Sequence, residues 1–272
     1  MRSRIFGPCA FGVLMACLAA PAQAHTVCTA VADAGTGKIL MQQGDCATHV
    51  TPASTFKIAI SLMGFDSGFL KDAHTPTLPY REGYVDWGGA EWKKPTDPAR
   101  WIKYSVVWFS QQVTRHLGAV GFRHYADVLD YGNRDLSGDP GKNNGLMRSW
   151  IGSSLKISPL EQVGFLAKLV ERKLPISSHA IDVTEEITRL DPLPNGWTLN
   201  GKTGSAFPKR ADGSNDEDHG WGWFVGWVKR DGRTLTFARL IQDDSKVQGA
   251  GGVRARDAFL QELPSLADRL AK

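Results

Sequence analysis

The order of hydrophobic periodicities along the chain restricts its fold more than any other feature. Segment 221–228 (WGWFVGWV) alternates with a period of two, as β-strands do. Because both of its faces are apolar, it is predicted to be a central strand covered by helices; the alternative is a tryptophan platform that stacks on sugars. In the middle of the chain the period is helical, since apolar residues between 122 and 129 recur at i, i+3, i+4 and i+7.

Strands at both ends with helices between them predict a discontinuous antiparallel sheet into which a helical lobe is inserted, an α/β (α+β) fold. The sheet lobe is expected at about 25–50 and 195–272, and the helical lobe at about 54–190, within one domain over 25–272. A cleft is expected where the two lobes meet.

Local signals indicate where individual elements begin and end. Ser158, Pro159 and Glu161 are spaced as in a helix N-terminus with a capping box. Asp231-Gly232 predicts a two-residue hairpin turn. The further expectations are a helical region from about Trp101 to Leu129, a final helix from Arg256 to Leu270, and an irregular Gly-, Pro- and Trp-rich stretch over 66–101.

The N-terminal residues have the composition of a signal peptide. Arg2 and Arg4 precede a largely apolar stretch, and Ala22-Gln23-Ala24 forms an A-x-A cleavage site. Residues 1–24 are therefore predicted to be removed on export to the periplasm, which leaves a mature chain without a membrane anchor. A second interpretation is lipid attachment at Cys17.

Export restricts the chemistry of the remaining chain. Loss of Arg2 and Arg4 lowers the net charge from +4 to +2, and this charge excludes an electrostatic surface for nucleic acid. Cys28 and Cys46 are the cysteines left in the mature chain, and they flank a predicted hairpin that turns near residues 35–37. A disulfide between them is expected, with two reduced thiols as the alternative.

Ser54 and Lys57 form an S-x-x-K pattern at a predicted helix start, within TPASTFKIAISLMG. Residues at i and i+3 share a helix face, so the hydroxyl and the amine are predicted to lie side by side. The following turns are apolar, and a buried lysine is costly unless it is used. The spacing alone is weak, because Ser153 and Lys156 repeat it, and a snorkelling lysine near a helix cap would also explain it.

Three further motifs follow in order: Ser105-Val106-Val107, Tyr131-Gly132-Asn133 and Lys202-Thr203-Gly204. S-x-x-K together with K-T-G is typical of penicillin-recognising serine enzymes. Ser105-Val106-Val107 has valine at its third position, and Tyr131-Gly132-Asn133 follows it. With these two motifs, the mature chain resembles the class D (oxacillinase-type) serine β-lactamases over essentially its whole length. No H-x-H or H-E-x-x-H occurs in the sequence, which argues against a zinc hydrolase and gives no metal site.

The resemblance implies a fold and a reaction. The fold would be that of β-lactamases and transpeptidases, with N- and C-terminal helices flanking the sheet. The activity would be hydrolysis of the β-lactam amide of penicillins and oxacillin-type antibiotics through an acyl-enzyme on Ser54, which confers resistance. No resident cofactor is implied except carbon dioxide or bicarbonate, which would convert Lys57 into an N-carboxylated general base.

The resemblance also implies roles for other residues. Ser105 would relay protons to the departing nitrogen, and Trp150 would hold the carboxylated lysine, beside Val107. The residues implied in catalysis are Ser54, Lys57, Ser105 and Trp150. The residues implied in substrate binding are Val107, Tyr131, Asn133, Lys202, Thr203, Gly204, Ser205 and Arg254. Arg256 leaves the choice of arginine for the substrate carboxylate open.

Two other functions remain compatible with the motifs. A penicillin-binding transpeptidase or carboxypeptidase would form the same acyl-enzyme and release it slowly, and a β-lactam sensor domain would be acylated once. Both normally work tethered to a membrane. The substrate spectrum and the oligomeric state are not indicated by the sequence.

Overall fold

A computed structural model describes residues 24–272. The predicted signal peptide, apart from Ala24, lies outside these residues. The strands are β1 (Ala24–Asp33), β2 (Ile39–Gly44), β3 (Arg189–Leu190), β4 (Thr198–Ala206), β5 (Trp221–Arg230) and β6 (Arg233–Asp243). The α-helices are α1 (Lys57–Asp66), α2 (Pro98–Tyr104), α3 (Val107–Val128), α4 (Gly145–Arg148), α5 (Pro159–Val170), α6 (Ser178–Ile187) and α7 (Gly251–Leu270), and 3₁₀ turns lie at Ala53–Phe56 and Ala90–Lys93.

The six strands form one antiparallel sheet in the order β2-β1-β6-β5-β4-β3. Strand β1 lies between β2 and β6, with Ala24 opposite Asp243, so the first strand of the described chain pairs with the last. Helices α1 to α6 lie between β2 and β3 in the chain, and α7 follows β6. The predicted α/β fold with a discontinuous sheet is confirmed.

Helices cover both faces of the sheet. On one face α7 packs through Phe259 against Phe224 and Phe237. On the other face Trp223 and Trp227 join the larger core, which contains α1 and α5, and both indoles have no exposed surface. The prediction of a central strand is confirmed for β5, and its two buried tryptophans cannot serve as a sugar platform. Within the described residues no helix precedes β1, so the second cover comes from the middle of the chain.

The predicted capping box and hairpin turn are both present. The Ser158 hydroxyl accepts from the Glu161 N–H, and a Glu161 carboxylate oxygen accepts from the Ser158 N–H. Asp231 and Gly232 both have positive φ (51° and 76°), as the tight turn between β5 and β6 requires.

The helical region expected from Trp101 to Leu129 is two helices. Ser105 has a left-handed backbone (φ 57°, ψ 36°) that ends α2, and the extended Val106 precedes α3. A second break lies at Gly118 (φ 65°) inside α3. Apolar periodicity does not reveal such an interruption, because it changes the direction of the backbone without removing an apolar residue from the core.

Helix α7 begins at Gly251 and not at the predicted Arg256. Glycines count against a helix in sequence reasoning, but here they allow the helix to approach the sheet. A Cβ on Gly252 would lie 2.5 Å from the Gly204 carbonyl oxygen, which is too close for any side chain to fit there. The start of α7 therefore rests directly on β4.

Cys28 and Cys46 form the predicted disulfide. It joins β1 to the segment that follows β2, a few residues before the turn that contains Ser54. No helix within residues 24–272 combines the length and the apolarity that a bilayer crossing requires.

Candidate active site

Ser54 and Lys57 lie where a 3₁₀ turn continues into α1. Ser54 belongs to the turn Ala53–Phe56, and Lys57 is the first residue of the α-helix. The Lys57 Nζ lies 2.9 Å from the Ser54 Oγ and donates a hydrogen bond to it. The structure thus brings together the hydroxyl and the amine of the S-x-x-K pattern.

The surroundings of Lys57 disfavour its charge. Its side chain has no exposed surface, and burial lowers the pKa of the amine well below its usual range. The positive charge of Lys202 lowers that pKa further. A neutral amine keeps a lone pair, so Lys57 can accept a proton or add to an electrophile.

Trp150 lies buried at the edge of the same space. Its ring packs against Phe56 (centroids 5.9 Å apart) and Phe122 (6.3 Å). The indole N–H has no hydrogen-bond partner anywhere in residues 24–272, although it is shielded from solvent. Such a donor is unusual in a buried side chain, and because Trp150 lines the cleft, its N–H is available to a group bound there. Val107, at the start of α3, lines the cleft with Trp150.

Lys202 reaches the cleft from β4, opposite α1. Its Nζ donates to the Ser105 Oγ (3.2 Å) and to the Thr203 carbonyl (3.1 Å). Burial, and secondarily the charge of Arg256, lower the pKa of Lys202 to about 7. The left-handed backbone of Ser105 at the end of α2 turns this residue toward Lys202.

Strand β4 forms one wall of the cleft with Thr203, Gly204 and Ser205. A Cβ on Gly204 would lie 2.9 Å from the Pro52 carbonyl oxygen, so glycine is required for β4 to approach the turn that carries Ser54. The Ser205 hydroxyl accepts from the Gly252 N–H at the start of α7.

These residues line a cavity of about 450 Å³, the size of a site for a small molecule. A second cavity of about 640 Å³ adjoins it, since Trp87, Ile151, Ser205 and Ala250 line both. The second cavity is lined by aromatic and aliphatic side chains, among them Phe207 and Trp221, together with polar ones such as Arg148 and Asp243. The cleft therefore continues beyond Ser205 into a space with both apolar and polar walls.

Arg254 and Arg256, near the start of α7, have different partners. The Nη2 of Arg254 donates to both carboxylate oxygens of Asp243, its Nη1 donates to the carbonyls of Gln248 and Gly249, and the side chain does not line the cleft cavity. Arg256 does line that cavity, on the side of Lys202. Arg254 is therefore paired with a carboxylate of the protein itself, whereas Arg256 lies in the cleft.

Tyr131 and Asn133 also lie outside the cleft lining. Tyr131 is buried against Phe56 (centroids 4.8 Å), and its hydroxyl accepts from the Gln162 side chain. Asn133 Oδ1 accepts from the Lys156 N–H, and its Nδ2 donates to the Ser154 carbonyl. These contacts hold the segment 154–156 and the back of the turn that carries Ser54 in place.

Sequence reasoning missed several residues of the cleft, including Trp87, Trp92, Tyr104 and Ile151. Trp87 lies in the stretch that was expected to be irregular, and its side chain is 59% exposed. Composition marked the stretch as tryptophan-rich, but no pattern in it indicated which rings face the cleft. Among the described residues, no group of three or more His, Cys, Asp or Glu side chains could hold a metal ion.

Known proteins resemble the chain in sequence and in structure. Residues 27–263 match the family model of the penicillin-binding protein transpeptidase domain. The chain is 44% identical to β-lactamase OXA-9 of Klebsiella pneumoniae over 88% of its length and 87% of that protein. It is 39% identical to β-lactamase OXA-1 of Escherichia coli, over 88% of its length and 84% of that protein.

Its structure superposes on that of the class D β-lactamase OXA-427 with a TM-score of 0.84. The two are 46% identical, and the match covers 89% of this chain and 99% of the other.

Proposed function

The chain belongs to the class D serine β-lactamases, and from this we propose how its cleft performs the hydrolysis of β-lactams that confers resistance. The single observation that carries the proposal is the 2.9 Å contact between Ser54 Oγ and the buried amine of Lys57, whose pKa is lowered by burial. A serine hydroxyl is a weak nucleophile unless a base lies within hydrogen-bond reach. We assign the nucleophile to Ser54, which attacks the β-lactam carbonyl and becomes acylated as the ring C–N bond breaks.

Lys57 and Trp150 together fit a carboxylated lysine. The neutral amine of Lys57 can add carbon dioxide with loss of one proton, and the unpartnered indole N–H of Trp150 suits a carboxylate oxygen. When bound, this group supplies a carboxylate base for the Ser54 proton and for the hydrolytic water. The buried apolar side chains of Val107 and Phe56 would help to exclude water from this group.

Ser105 and Lys202 are placed to protonate the leaving nitrogen. The Lys202 amine donates to the Ser105 hydroxyl, so a proton given up by Ser105 can be replaced from Lys202. The pKa of about 7 makes Lys202 a proton donor whose strength is suited to neutral pH. The backbone N–H groups of Ser54 and Ser205 would stabilise the oxyanion.

The substrate carboxylate would bind to Lys202, Thr203 and Arg256. We assign this role to Arg256 and not to Arg254, because Arg256 lines the cleft, whereas Arg254 lies outside its lining and is held by Asp243 and by two carbonyls. A cationic amine and a guanidinium on one side of the cleft suit an anionic substrate. Tyr131 and Asn133 would support the site from behind and would not touch the substrate.

We further propose that the chain is exported to the periplasm. The Cys28–Cys46 disulfide supports this, since such bonds persist in oxidising compartments. N-terminal sequencing of the protein from a periplasmic extract should begin at His25.

Peptide mapping of the acylated protein tests the proposed nucleophile. After brief incubation with a slowly hydrolysed penicillin, mass spectrometry should place the adduct on the peptide that contains Ser54, and Ser54→Ala should remove it. Ser153→Ala is the matched control and should retain full labelling. An adduct that persists in Ser54→Ala would overturn the assignment.

A further inference from the structure

Thr51, three residues before Ser54, makes contacts that neither the motifs nor the proposed chemistry explain. It is buried, with 6% of its surface exposed, and it does not line the cleft. Its hydroxyl donates to the Trp150 carbonyl (2.9 Å) and accepts from the Gly152 N–H (3.1 Å). One side chain thus holds the backbone on both sides of Ile151.

The backbone of Thr51 is itself held by the sheet. Its carbonyl accepts from the indole N–H of Trp223, on the central strand β5, at 2.9 Å. The preceding residue, Val50, exchanges two backbone hydrogen bonds with Ile157, at the other end of the loop that Trp150 begins. Residues 50 and 51 therefore tie both ends of the loop 150–157 to the sheet and to the turn that carries Ser54.

This arrangement bears on the position of the Trp150 indole. Packing against Phe56 and Phe122 restricts the ring, but the hydrogen bonds of Thr51 restrict the backbone from which the ring extends. A valine at position 51 would keep the shape of the side chain and lose both bonds, whereas a serine would keep the hydroxyl. The comparison of these two variants therefore tests the two hydrogen bonds of the Thr51 hydroxyl separately from the volume of the side chain.

We propose that Thr51 is a positioning residue that aims the Trp150 indole at Lys57 and thereby sets the stability of the carboxylated lysine. This inference rests on the proposed function, since it acts through carboxylation of Lys57. Thr51 touches neither the substrate nor the reacting atoms. Its effect should appear in the bicarbonate requirement and in deacylation, and less in substrate affinity.

The experiment compares wild type with Thr51→Val, Thr51→Ser and a matched control, Thr236→Val. Thr236 is also buried, and its hydroxyl donates to the Val163 carbonyl; neither residue lines the cleft. Carboxylation is read directly by ¹³C NMR of each protein in ¹³C-labelled bicarbonate, and turnover is titrated with bicarbonate after degassing. Melting temperatures report any loss of stability.

Thr51→Val should need about five- to thirtyfold more bicarbonate for half-maximal carboxylation, as expected for the loss of one or two kcal/mol. It should lower kcat more than kcat/KM, while Thr51→Ser stays close to wild type. Thr236→Val should melt at a lower temperature with an unchanged bicarbonate requirement. If Thr51→Val does not fold, Thr51→Ala removes the same hydroxyl and carries the same expectation.

A Thr51→Val protein that binds bicarbonate as tightly as wild type would overturn the inference, whatever its melting temperature. The proposed function fails separately: wild type itself would then show no ¹³C signal and no response to bicarbonate. In that case Thr51 has no carboxylated lysine to act on, and the inference is overturned with it.

Discussion

Ser54 and Lys57 share their spacing with Ser153 and Lys156, yet the two pairs lie in different surroundings. The first pair lies on a continuous helical turn, with the amine fully buried and 2.9 Å from the hydroxyl. The second lies in the irregular segment between α4 and α5, and Lys156 is exposed. Its backbone bonds to Asn133 and its amine faces solvent.

The comparison shows what the S-x-x-K pattern needs beyond its spacing. A helical backbone brings the hydroxyl and the amine to one face, and a bend does not. Burial then lowers the pKa of the amine, which no spacing can do. The motif therefore specifies the spacing of two side chains, whereas the reactivity of the site depends on the cleft that surrounds them.

Removing each lysine should give the largest contrast between the pairs. Lys57→Ala should lower turnover by roughly two to four orders of magnitude, since a general base contributes about that much. Lys156→Ala should leave kcat unchanged. Steady-state hydrolysis of a chromogenic cephalosporin measures both, and equal losses in the two variants would remove the distinction.

The next contrast is between two buried indoles without hydrogen-bond partners in the described chain, Trp150 and Trp227. Trp150→Phe should raise the bicarbonate concentration for half-maximal activity about ten- to a hundredfold, because a hydrogen bond to a charged group is worth roughly 1.5–3 kcal/mol. Acyl-enzyme should accumulate in mildly acidic, degassed buffer.

Trp227→Phe serves as the control, since its ring lies in the core outside the cleft lining. Its bicarbonate titration should overlay that of wild type. A shift of the same size in both variants would mean that loss of packing, and not of the N–H near Lys57, causes the effect.

Arg254 and Arg256, near the start of α7, define the boundary of the site. Arg256→Ala should raise KM for an anionic β-lactam roughly tenfold with little change in stability, because it removes one charge-assisted contact. Arg254→Ala should leave KM nearly unchanged but destabilise the fold, since it strands the buried carboxylate of Asp243. KM and thermal melting measured on both variants check the assignment, which would be reversed if KM rose only in Arg254→Ala.

The smallest expected effect is on the pH profile. The pKa of Lys202 is lowered to about 7, so its charge is lost as pH rises through neutrality, where an ordinary lysine stays charged. The value of kcat/KM for an anionic substrate should therefore fall about fivefold between pH 7 and 8, as the cationic fraction does.

Lys202→Gln should lose this decline and show a flat profile over the same range. If the variant keeps the same fall, another group titrates there, and Lys202 is not the cation that binds the substrate.

Much of the fold was predictable because its signals are local or periodic. The Asp231-Gly232 turn, the capping box at Ser158 and the buried alternation of β5 each depend on a few neighbouring residues. The order of the strands was not predictable, since β1 pairs with β6 and neither segment contains a local sequence signal that identifies the other as its partner.

The site divides in the same way. Ser54, Lys57 and Lys202 were found from their motifs, because each motif reflects chemistry within three or four residues. The choice between Arg254 and Arg256 depended on Asp243, whose position relative to α7 is a property of the tertiary structure. Thr51 was missed for the same reason, as its partners lie 99 to 172 residues away.

The position of β1 in the sheet has a consequence for how the chain acquires its function. Ala24 pairs with Asp243, so the edge on which β1 settles does not exist until β6 has been made. Pairings between such distant segments slow folding, because the entropy of closing a long loop is lost before the favourable strand contacts form. The turn that holds Ser54 and Lys57 is synthesised early, whereas the strand that brings Lys202 opposite them is secured only when β5 and β6 have joined the sheet. A nascent chain thus contains its nucleophile long before it contains a site, and the ability to react with a β-lactam should be among the last properties to appear during folding.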